Sequence, residues 1–578
     1  MYISSYLTLN TALSGVEAAQ EQLDTTGQNI TNANTPGYEQ QVVNLVEAPS
    51  LPIAGSGADG AMQLGTGVNA QSITNVGDPY LDAAWRQQNA SSGNANTTQT
   101  YLQQIQVALN EPSANGISAQ LATFWSDWNS LADSPNSPAA QQAVVQQGQA
   151  VAKAFNTLSS QLNGASPGTP MDPSNTSLVN PANSASILGQ VNSQYTATME
   201  GPTGAGASGG TLYNDAYNIA SLNYSIMQAK AAGQSPNDLI DQRNAALDNL
   251  SKLGNTQVQN NSDGSVTVYF GGVTGTALIN DPVGIRPGGT VPPGDNFGSF
   301  GSGGTTPASG WAAAWQSQFS SAAGAATSAA TLATTVGGTL GALIGLAGYS
   351  SNGFGDLGTP SFAAGVTDYA APTPATQLGT IGTVSASLDQ VASNLASEVN
   401  NPTVTGTTTK LTLNAPFFTA SGGGAITAAS LSVSSTLANA VTTGITPQAV
   451  SSSTPAGGNT QGTNNVQVSS LATAAPASNA SDNDVALDEA ANAGGVADTS
   501  YQAFVQQVGS LAQGANTQQA TATALQTQIT NQRTSVEGVD LSQEMANLIN
   551  EQQSYQASAK VMNAFSTVMN SLMTLVGQ

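Results

Sequence analysis

Residues 541–576, LSQEMANLINEQQSYQASAKVMNAFSTVMNSLMTLV, carry the pattern that decides the fold. Apolar side chains recur in this stretch at every seventh position, with a companion row between them. The stripe consists of Leu541, Met545, Leu548, Tyr555, Ala559, Met562, Phe565, Met569, Leu572 and Val576. Such spacing lies on one side of an α-helix, and a repeat sustained over about five heptads favours helices that wrap on one another.

The other end of the chain carries a matching stripe, formed by Leu9, Leu13, Val16, Leu23 and Ile30. Either stripe alone fits one face of an ordinary core helix. Both, however, lie at chain ends, which usually fray unless something holds them, so each needs an apolar partner. We therefore predict that the two ends pair as an antiparallel, coiled-coil-like hairpin, and that the remaining apolar surface meets neighbouring subunits.

The interior alternates between helical and extended patterns. Amphipathic helices are predicted at 101–109, 117–131, 139–162, 212–230, 238–253, 378–399 and 501–533. Residues 256–279 change to the alternation of a β-hairpin, with Gly264 in the turn, and short β-type runs follow at 410–418 and 429–433. Residues 281–310 are rich in Gly and Pro and predict a loop. The Ala/Thr/Gly-rich segment 311–348 fits a weak helix and a disordered segment equally well.

These patterns predict an α+β multidomain protein with a terminal coiled-coil-like hairpin, a helical rod domain and β-rich outer structure. The predicted domains are a terminal helical coiled-coil domain (1–36 and 540–578), a mainly helical rod domain (37–255, 376–400 and 496–539), a hairpin with a low-complexity insertion (256–375) and a β-rich outer domain (401–495).

Composition excludes several classes of function. The chain has 9 basic and 33 acidic residues, a net charge of −24, which argues against binding to nucleic acid or to anionic membranes. It has no Cys and no His, so it lacks the commonest general base and the commonest transition-metal ligands. Proteins are therefore the expected large partners.

Two segments share some features with ligand sites. The carboxylates at 482, 484, 488 and 489 could attract Ca²⁺, but the Gly and Glu that an EF-hand loop requires are not in register. GSGADG at 55–60 lacks the Lys-Ser/Thr of a phosphate loop. We predict a solvated acidic turn and a spacer loop, and no catalytic, cofactor or metal site.

The N-terminus has neither a basic region nor an unbroken apolar core, so we expect no cleavable secretory signal. The most apolar interior stretch, 340–346, is far shorter than the roughly 20 residues that cross a bilayer. We therefore expect no membrane insertion.

The segment after the first stripe carries a family resemblance. NITNANTPGYEQQ, residues 29–41, resembles the NxxNxxTPGY segment shared by flagellar rod, hook and hook-associated proteins. The motif residues are Asn29, Asn32, Thr35, Pro36, Gly37 and Tyr38. VDLSQEMANLINEQQSYQASAKVMN, residues 539–563, is similar to their C-terminal motif. Two positions depart from the family pattern: Gln40 stands where Arg is common, and Ser542 where an acidic residue is common.

Internal segments narrow the resemblance to the hook-associated protein 1 family. They are GTGV at 65–68, NEPSANGISAQLATFW at 110–125, PNDLIDQR at 236–243 and Pro416-Phe417-Phe418. The resemblance covers roughly residues 1–165, 212–275 and 376–578, and residues 280–375 do not contribute to it.

The resemblance implies a non-enzymatic structural subunit of the bacterial flagellum at the hook–filament junction. It implies export through the flagellar type III apparatus without a cleaved signal, and hence an extracellular location. The implied partners are further copies of the chain in a ring, the hook protein, the second junction protein (FlgL) and an export chaperone (FlgN) bound to the C-terminal helix.

Two other classes of function were considered. A secreted adhesin or surface-layer protein would share the acidic, Cys-free composition, but it should show a signal and β-repeats. A glycan-degrading enzyme could use carboxylate pairs alone, but no local constellation in the sequence suggests such a pair.

Overall fold

The computed structural model describes residues 5–53, 62–134, 137–164, 185–199, 210–273, 277–280, 329–350, 353–354, 378–400, 416–435, 437–438 and 495–576. The described residues are mostly helical, with a few two-stranded sheets. The chain divides into two compact units. Unit 1 comprises 1–91, 211–314 and 522–578, and unit 2 comprises 92–210 and 315–521. Two of the four boundaries, 91/92 and 521/522, fall inside the long helices Pro79–Leu109 and Val496–Glu537.

The described helices are α1 (Ser5–Asn32), α2 (Pro79–Leu109), α3 (Ile117–Asp133), α4 (Pro138–Asn163), α5 (Ile187–Met199), α6 (Thr211–Ala231), α7 (Asn237–Leu253), α8 (Ala329–Val336), α9 (Gly338–Ala347), α10 (Thr380–Asn400), α11 (Val496–Glu537) and α12 (Leu541–Val576). The described strands are β1 (Gln41–Glu47), β2 (Leu51–Ile53), β3 (Met62–Leu64), β4 (Val68–Asn75), β5 (Thr256–Asn260), β6 (Val266–Phe270), β7 (Tyr349–Ser350), β8 (Gly353–Phe354), β9 (Phe418–Ala420) and β10 (Leu431–Val433).

In unit 1, α1 packs against α12 and against the antiparallel pair β1–β4. The helices α6 and α7 pack on each other and are followed by the hairpin β5–β6. The sequence prediction of this hairpin is confirmed. Gly264 has φ +91°, a conformation that L side chains rarely adopt, and its N–H donates to the carbonyl of Asn261 at 3.1 Å.

Unit 2 has an aromatic core formed by Phe124, Trp125, Trp128, Phe417 and Phe418, whose neighbouring rings lie 4.8–6.1 Å apart. Its first three members lie on one face of α3, and the two phenylalanines come from the start of the hairpin β9–β10. Packing of this hairpin on α4 depends on Gly148, because a Cβ there would lie 2.6 Å from the ring of Phe417.

All seven predicted helical segments are helices in the structure, but two are longer than predicted. The predicted segment 101–109 is only the end of α2, which begins at Pro79. The predicted segment 501–533 lies within α11, which runs over 42 residues. Residues 311–348 fitted two interpretations, and their described part forms α8 and α9. Helix α9 is buried nearly all round, so packing stabilises a segment with weak helix propensity. The helix α5 and the strands β1–β4 were not predicted.

The predicted β-rich outer domain, 401–495, is described only in part. Residues 416–435 form β9, β10 and their connection, and this hairpin packs into the helical core of unit 2. The structure therefore shows a hairpin there, and the rest of the predicted domain lies outside the described residues. The predicted acidic turn at 482–489, the GSGADG loop at 55–60 and the loop at 281–310 also lie outside the described residues.

Candidate assembly interface

The turn motif forms a corner, defined here as residues 29–41, between α1 and β1. Asn29 is only 2% exposed and lies in the last turn of α1. Its side-chain amide donates to the carbonyl of Gln41 at 2.9 Å, and its carbonyl oxygen accepts from the N–H of Gln41 at 3.0 Å and from the Tyr38 hydroxyl at 2.8 Å. One side chain thus holds both polar backbone groups of the first residue of β1.

The remaining motif residues shape the turn itself. The N–H of Thr35 donates to the carbonyl of Asn32 at 2.8 Å, and its hydroxyl donates to the Asn32 side chain at 3.2 Å. Pro36 has no N–H with which to continue the helix, and Gly37 takes φ +80°. The motif residues named from the sequence therefore act together to end α1 and reverse the chain.

Gln40 connects the corner to the C-terminal segment. Its N–H donates to the carbonyl of Glu537 at 2.9 Å, and its side-chain amide donates to a carboxylate oxygen of Glu544 at 2.6 Å. Glu544 is 1% exposed and lies in the first turn of α12. The residue that replaces the family's arginine therefore still makes a hydrogen bond to a charged group.

Helix α12 begins directly after Asp540, whose carboxylate accepts the N–H groups of Ser542 at 2.8 Å and Gln543 at 3.3 Å. This is the usual side-chain cap of a helix N-terminus, where backbone donors lack partners within the helix. Ser542 thus contributes its backbone to the cap, and its side chain is exposed.

The helices α1 and α12 run antiparallel. Gly15 lies beside Ser558 and Thr26 beside Glu551, so residue numbers rise along one helix as they fall along the other. The buried face of α1 consists of small and polar residues, namely Ala12, Ala18, Ala19, Thr25, Thr26 and Asn29. Small side chains allow the two helices to approach closely, and a Cβ on Gly15 would lie 3.1 Å from the Ser558 hydroxyl.

The predicted stripe residues divide into two groups. The half-buried ones are Leu9, Val16, Leu23, Ile30, Leu548, Ala559, Met562 and Phe565, and the exposed ones are Leu13, Leu541, Met545, Tyr555 and Met569. Leu572 and Val576 lie within α12, but their side chains are outside the described part of the structure.

Apolar side chains are exposed at intervals along the whole of α12, among polar ones. Besides the predicted residues, Ile549, Val561 and Val568 are exposed, and Met545 and Met573 reach 59% and 68%. Scattered apolar side chains are common on protein surfaces, but here they recur along the length of one helix. The isolated chain therefore leaves an apolar surface beside its helix pair.

Sequence reasoning missed a buried ion cluster in unit 1, centred on Arg533 near the end of α11. Its guanidinium lies 2.8 Å from Asp82, 2.7 Å from Asp248, 2.7 Å from Glu537 and 3.9 Å from Glu39. It also lies over the ring of Trp85, at 5.4 Å from the centroid. The scarcity of cations was the available signal, because a chain with nine basic residues leaves few to neutralise buried acids.

A second arginine shares two of these partners. Arg86 lies 3.4 Å from Asp82 and 3.2 Å from Asp248. Burial raises the pKa of Asp248 above its ordinary value, and the two arginines offset part of that rise. The pKa of Glu537 is also raised by burial. Charged side chains from four separated stretches of the chain, namely the corner, α2, α7 and α11, thus meet in this cluster.

The described residues contain no cluster of three or more acidic side chains arranged to hold a metal ion. Within the described ranges, no helix combines the length and apolarity needed to span a membrane.

Sequence models of three families match the chain. The flagellar hook-associated protein FlgK helical domain matches residues 102–201 and 211–418. The flagella basal body rod protein matches residues 9–38, which cover most of α1 and the turn of the corner. The C-terminal model of the flagellar basal body rod FlgEFG proteins matches residues 530–575, which contain Arg533 and nearly all of α12.

Individual relatives carry the same description. Flagellar hook-associated protein 1 of Bacillus subtilis (strain 168) is 32% identical over 263 residues, 45% of this chain and 45% of that protein. Its counterpart in Salmonella typhimurium is 29% identical over 253 residues, 43% of this chain and 38% of that protein. The match thus spans less than half the length of either curated relative.

A solved structure, that of the flagellar hook junction protein FlgK from Burkholderia pseudomallei, also resembles this chain. It shares 20% sequence identity and a TM-score of 0.34, over 59% of this chain and 47% of that one.

Proposed function

Because the chain belongs to the FlgK family of flagellar hook-associated proteins, whose helical-domain model matches more than half of its residues, we propose that it is a structural subunit of the hook–filament junction. The family is one of structural flagellar proteins. The proposed role is architectural, and a sequence without His or Cys suits a protein that performs no catalysis.

The observation that carries the proposal is the apolar surface beside the α1–α12 pair. Full burial of a Leu or Met side chain contributes roughly 1.5–3 kcal/mol. A few such residues on each of several neighbouring subunits are enough to drive assembly, provided that the helices remain ordered. The exposed Met545, Ile549 and Met573 are the strongest candidates for contacts between subunits.

The same surface defines the proposed mode of assembly. Terminal helices of adjacent copies pack as a coiled-coil-like layer and build a ring, with the hook protein on one side and the second junction protein, FlgL, on the other. Half-buried residues such as Leu548 and Phe565 support the pair within a subunit, and the exposed residues serve neighbouring ones. The corner fixes the direction in which α1 leaves the rest of unit 1.

Before assembly the apolar surface of α12 needs a cover, which supports a role for the export chaperone FlgN at this helix. We propose type III export without a cleaved signal and an extracellular location in the assembled flagellum. The acidic composition suits this route, because like charges keep subunits soluble and apart until they dock.

Substitution of an exposed stripe residue tests the proposal. Met545→Asp places a charge on the proposed contact surface without touching the buried face of α12, and Gln543→Asp places the same charge two residues earlier, at another exposed position of the helix. We expect Met545→Asp to abolish incorporation at the junction, measured by immunolabelling and motility, and Gln543→Asp to retain both. Equal incorporation of both variants at normal export levels would refute assembly through this surface.

A further inference from the structure

The connection between α11 and α12 is three residues long, 538–540. Helix α11 ends at Glu537 and α12 begins at Leu541, and both sides of the connection belong to unit 1. Gly538 donates its N–H to the carbonyl of Thr534 at 3.0 Å, and a Cβ on it would lie 2.3 Å from that oxygen. Each residue of the connection has two soft backbone torsions. The connection alone therefore leaves the angle between the two helices open.

The end of α11 is held firmly before the connection begins. Glu537 is 4% exposed, and its backbone carbonyl accepts from the N–H of Gln40 at 2.9 Å. One of its carboxylate oxygens accepts from the N–H of Asp78 at 3.1 Å, and the other accepts from the guanidinium of Arg533 at 2.7 Å. The last turn of α11 is thus tied to the corner and to the segment that precedes α2.

Gln40 is itself fixed through its backbone. Its N–H is used by Glu537, and its carbonyl accepts from the N–H of Val76, directly after β4, at 2.8 Å. Only the side chain then remains to turn, and its amide donates to a carboxylate oxygen of Glu544 in α12 at 2.6 Å. Gln40 therefore joins the end of α11 to the beginning of α12 from outside the connection.

The contact with Glu544 has no substitute nearby. Within the described ranges, the Gln40 amide supplies the one hydrogen bond that reaches the first two turns of α12 from another element. Glu544 is 1% exposed, and its second carboxylate oxygen is buried without a hydrogen-bond partner among those residues. A buried carboxylate costs free energy unless it is hydrogen-bonded. Loss of the Gln40 amide would leave both oxygens without a donor, so the first turn of α12 would have to move toward water.

Packing of α1 on α12 is the competing cause of a fixed angle. The contact between Gly15 and Ser558 lies about four turns beyond Glu544, at 3.6 residues per turn. The buried face of α1 consists of small and polar side chains, which offer little apolar area to hold one orientation. A hydrogen bond beside the connection therefore has more influence on the angle than this distant contact.

We propose that Gln40 is a positioning residue that sets the angle between α11 and α12. Helix α12 has 36 residues and is therefore about 54 Å long at 1.5 Å per residue. A tilt of about 10° at the connection moves its far end by about 9 Å over that length. The hydrogen bond between Gln40 and Glu544 thus controls the direction in which the apolar surface of α12 faces.

The distance between two spin labels reports this angle. The chain has no Cys, so Gln528→Cys on α11 and Gln553→Cys on α12 introduce two unique labelling positions, both exposed. They lie about 14 Å and about 18 Å along their helices from the connection, at 1.5 Å per residue. The distribution of distances is measured by double electron–electron resonance on the full chain, alone in solution. A change of the angle changes this distribution directly.

Gln40→Met removes the side-chain donor and keeps both backbone hydrogen bonds. We expect the distance distribution to broaden at least about twofold, because the torsions of the connection are then free to vary. Gln543→Met is the matched control, since it makes the same substitution at an exposed position in the first turn of α12. Its distribution should equal that of the unmodified chain. An unchanged distribution in Gln40→Met would overturn the proposal, as would equal broadening by Gln543→Met.

Variants of Glu544 keep the proposal testable if Gln40→Met does not fold. Glu544→Gln retains an acceptor for the Gln40 amide, so the distribution should stay narrow. Gln40→Met combined with Glu544→Met replaces both partners by apolar side chains, which avoids the cost of an unpaired buried carboxylate. This double variant should fold and still give a broad distribution. A narrow distribution in it would show that packing of α1 fixes the angle, and the proposal would be wrong.

Incorporation at the junction links the angle to assembly, and this step alone rests on the proposed function. We expect Gln40→Met to be exported normally and to be incorporated less than Gln543→Met, as measured by immunolabelling. Equal incorporation of the two variants, despite a broadened distribution in Gln40→Met, would refute a role of the angle in assembly. Failure of the Met545→Asp test would instead refute the proposed function and leave the distance measurement, made on the isolated chain, unaffected.

Discussion

Replacement of Arg533 by Gln removes the central cation of the buried cluster and leaves Asp82, Asp248 and Glu537 without their closest partner. The side chains concerned are between 5 and 17% exposed, so water replaces the lost contacts poorly. Breaking a buried ion pair by removal of one partner costs roughly 3–5 kcal/mol, and Arg86 can compensate only for Asp82 and Asp248. We therefore expect unit 1 to lose about 3–5 kcal/mol of stability.

The loss should depend on pH in a defined direction. Carboxylates without a cation have raised pKa values in the folded state, so protonation relieves part of their repulsion at low pH. Arg533→Gln should consequently destabilise unit 1 more at pH 8 than at pH 5. The assay is urea-dependent hydrogen exchange of the amides of α7, which reports on unit 1 alone.

Lys560→Gln is the matched control, because it removes one positive charge from an exposed position on α12. It should change the stability of unit 1 by less than about 0.5 kcal/mol. Arg533→Lys keeps the charge but not the fork of donors, and an intermediate loss is expected. If Arg533→Gln lowers the stability of unit 1 at pH 8 by less than about 1 kcal/mol, and by no more than Lys560→Gln does, the cluster contributes no more than a weak surface ion pair. That result would refute the argument that the cluster is a buried one.

Two further predictions concern packing. Leu548→Asp, on the half-buried face of α12, should separate α12 from α1 at a cost of roughly 1.5–3 kcal/mol, measured as loss of helical hydrogen-exchange protection, whereas the exposed Gln543→Asp should not. Gly148→Ala should destabilise unit 2 by roughly 1–3 kcal/mol in urea unfolding, because its Cβ would meet the ring of Phe417. Gly509→Ala, where a Cβ meets open space, should instead raise stability by up to about 1 kcal/mol, and a loss of equal size in both variants would contradict the packing argument.

Local patterns were sufficient to predict most elements of the fold. The periodic segments that became α3, α4, α6, α7 and α10 have apolar faces that bury one side of each helix, and their ends agree to within one or two residues. The β5–β6 hairpin followed from its alternation and its turn glycine. Such elements are determined by residues that are close together in the sequence, and a periodic pattern shows the relation between such residues directly.

The terminal stripes were only partly informative. The sequence predicted an antiparallel, coiled-coil-like pair with its contact at the large apolar residues. The structure shows α1 packed antiparallel on α12, and the coiled-coil form stays a prediction. In the structure, the buried positions of α1 are small or polar, among them Ala12, Ala19 and Thr26. Close approach of backbones outweighs the gain from large side chains here, and that balance depends on three-dimensional geometry. Whether the exposed leucines and methionines serve assembly stays a prediction.

Other features depend on residues that are far apart in the chain. Nothing local distinguishes Arg533 from any surface arginine on a polar helix, and its partners lie in α2, α7 and the corner. The sequence did not distinguish the buried helix α9 from a disordered segment, and the reason is different. Its glycines and threonine weaken helix propensity, and only burial by other elements compensates for this.

Unit 1 is closed by contacts between the beginning, middle and end of the chain, and this has a kinetic consequence. Gln40 and Glu544 are 504 positions apart, and Arg533 and Asp248 are 285 apart. Contacts between residues so far apart in the chain form slowly, because the chain loses the entropy of loop closure before any contact stabilises it. The helices α3 and α4, by contrast, are separated only by residues 134–137 and can pack early. Completion of unit 1 is therefore a late step of folding, which waits for the last forty-odd residues to become available.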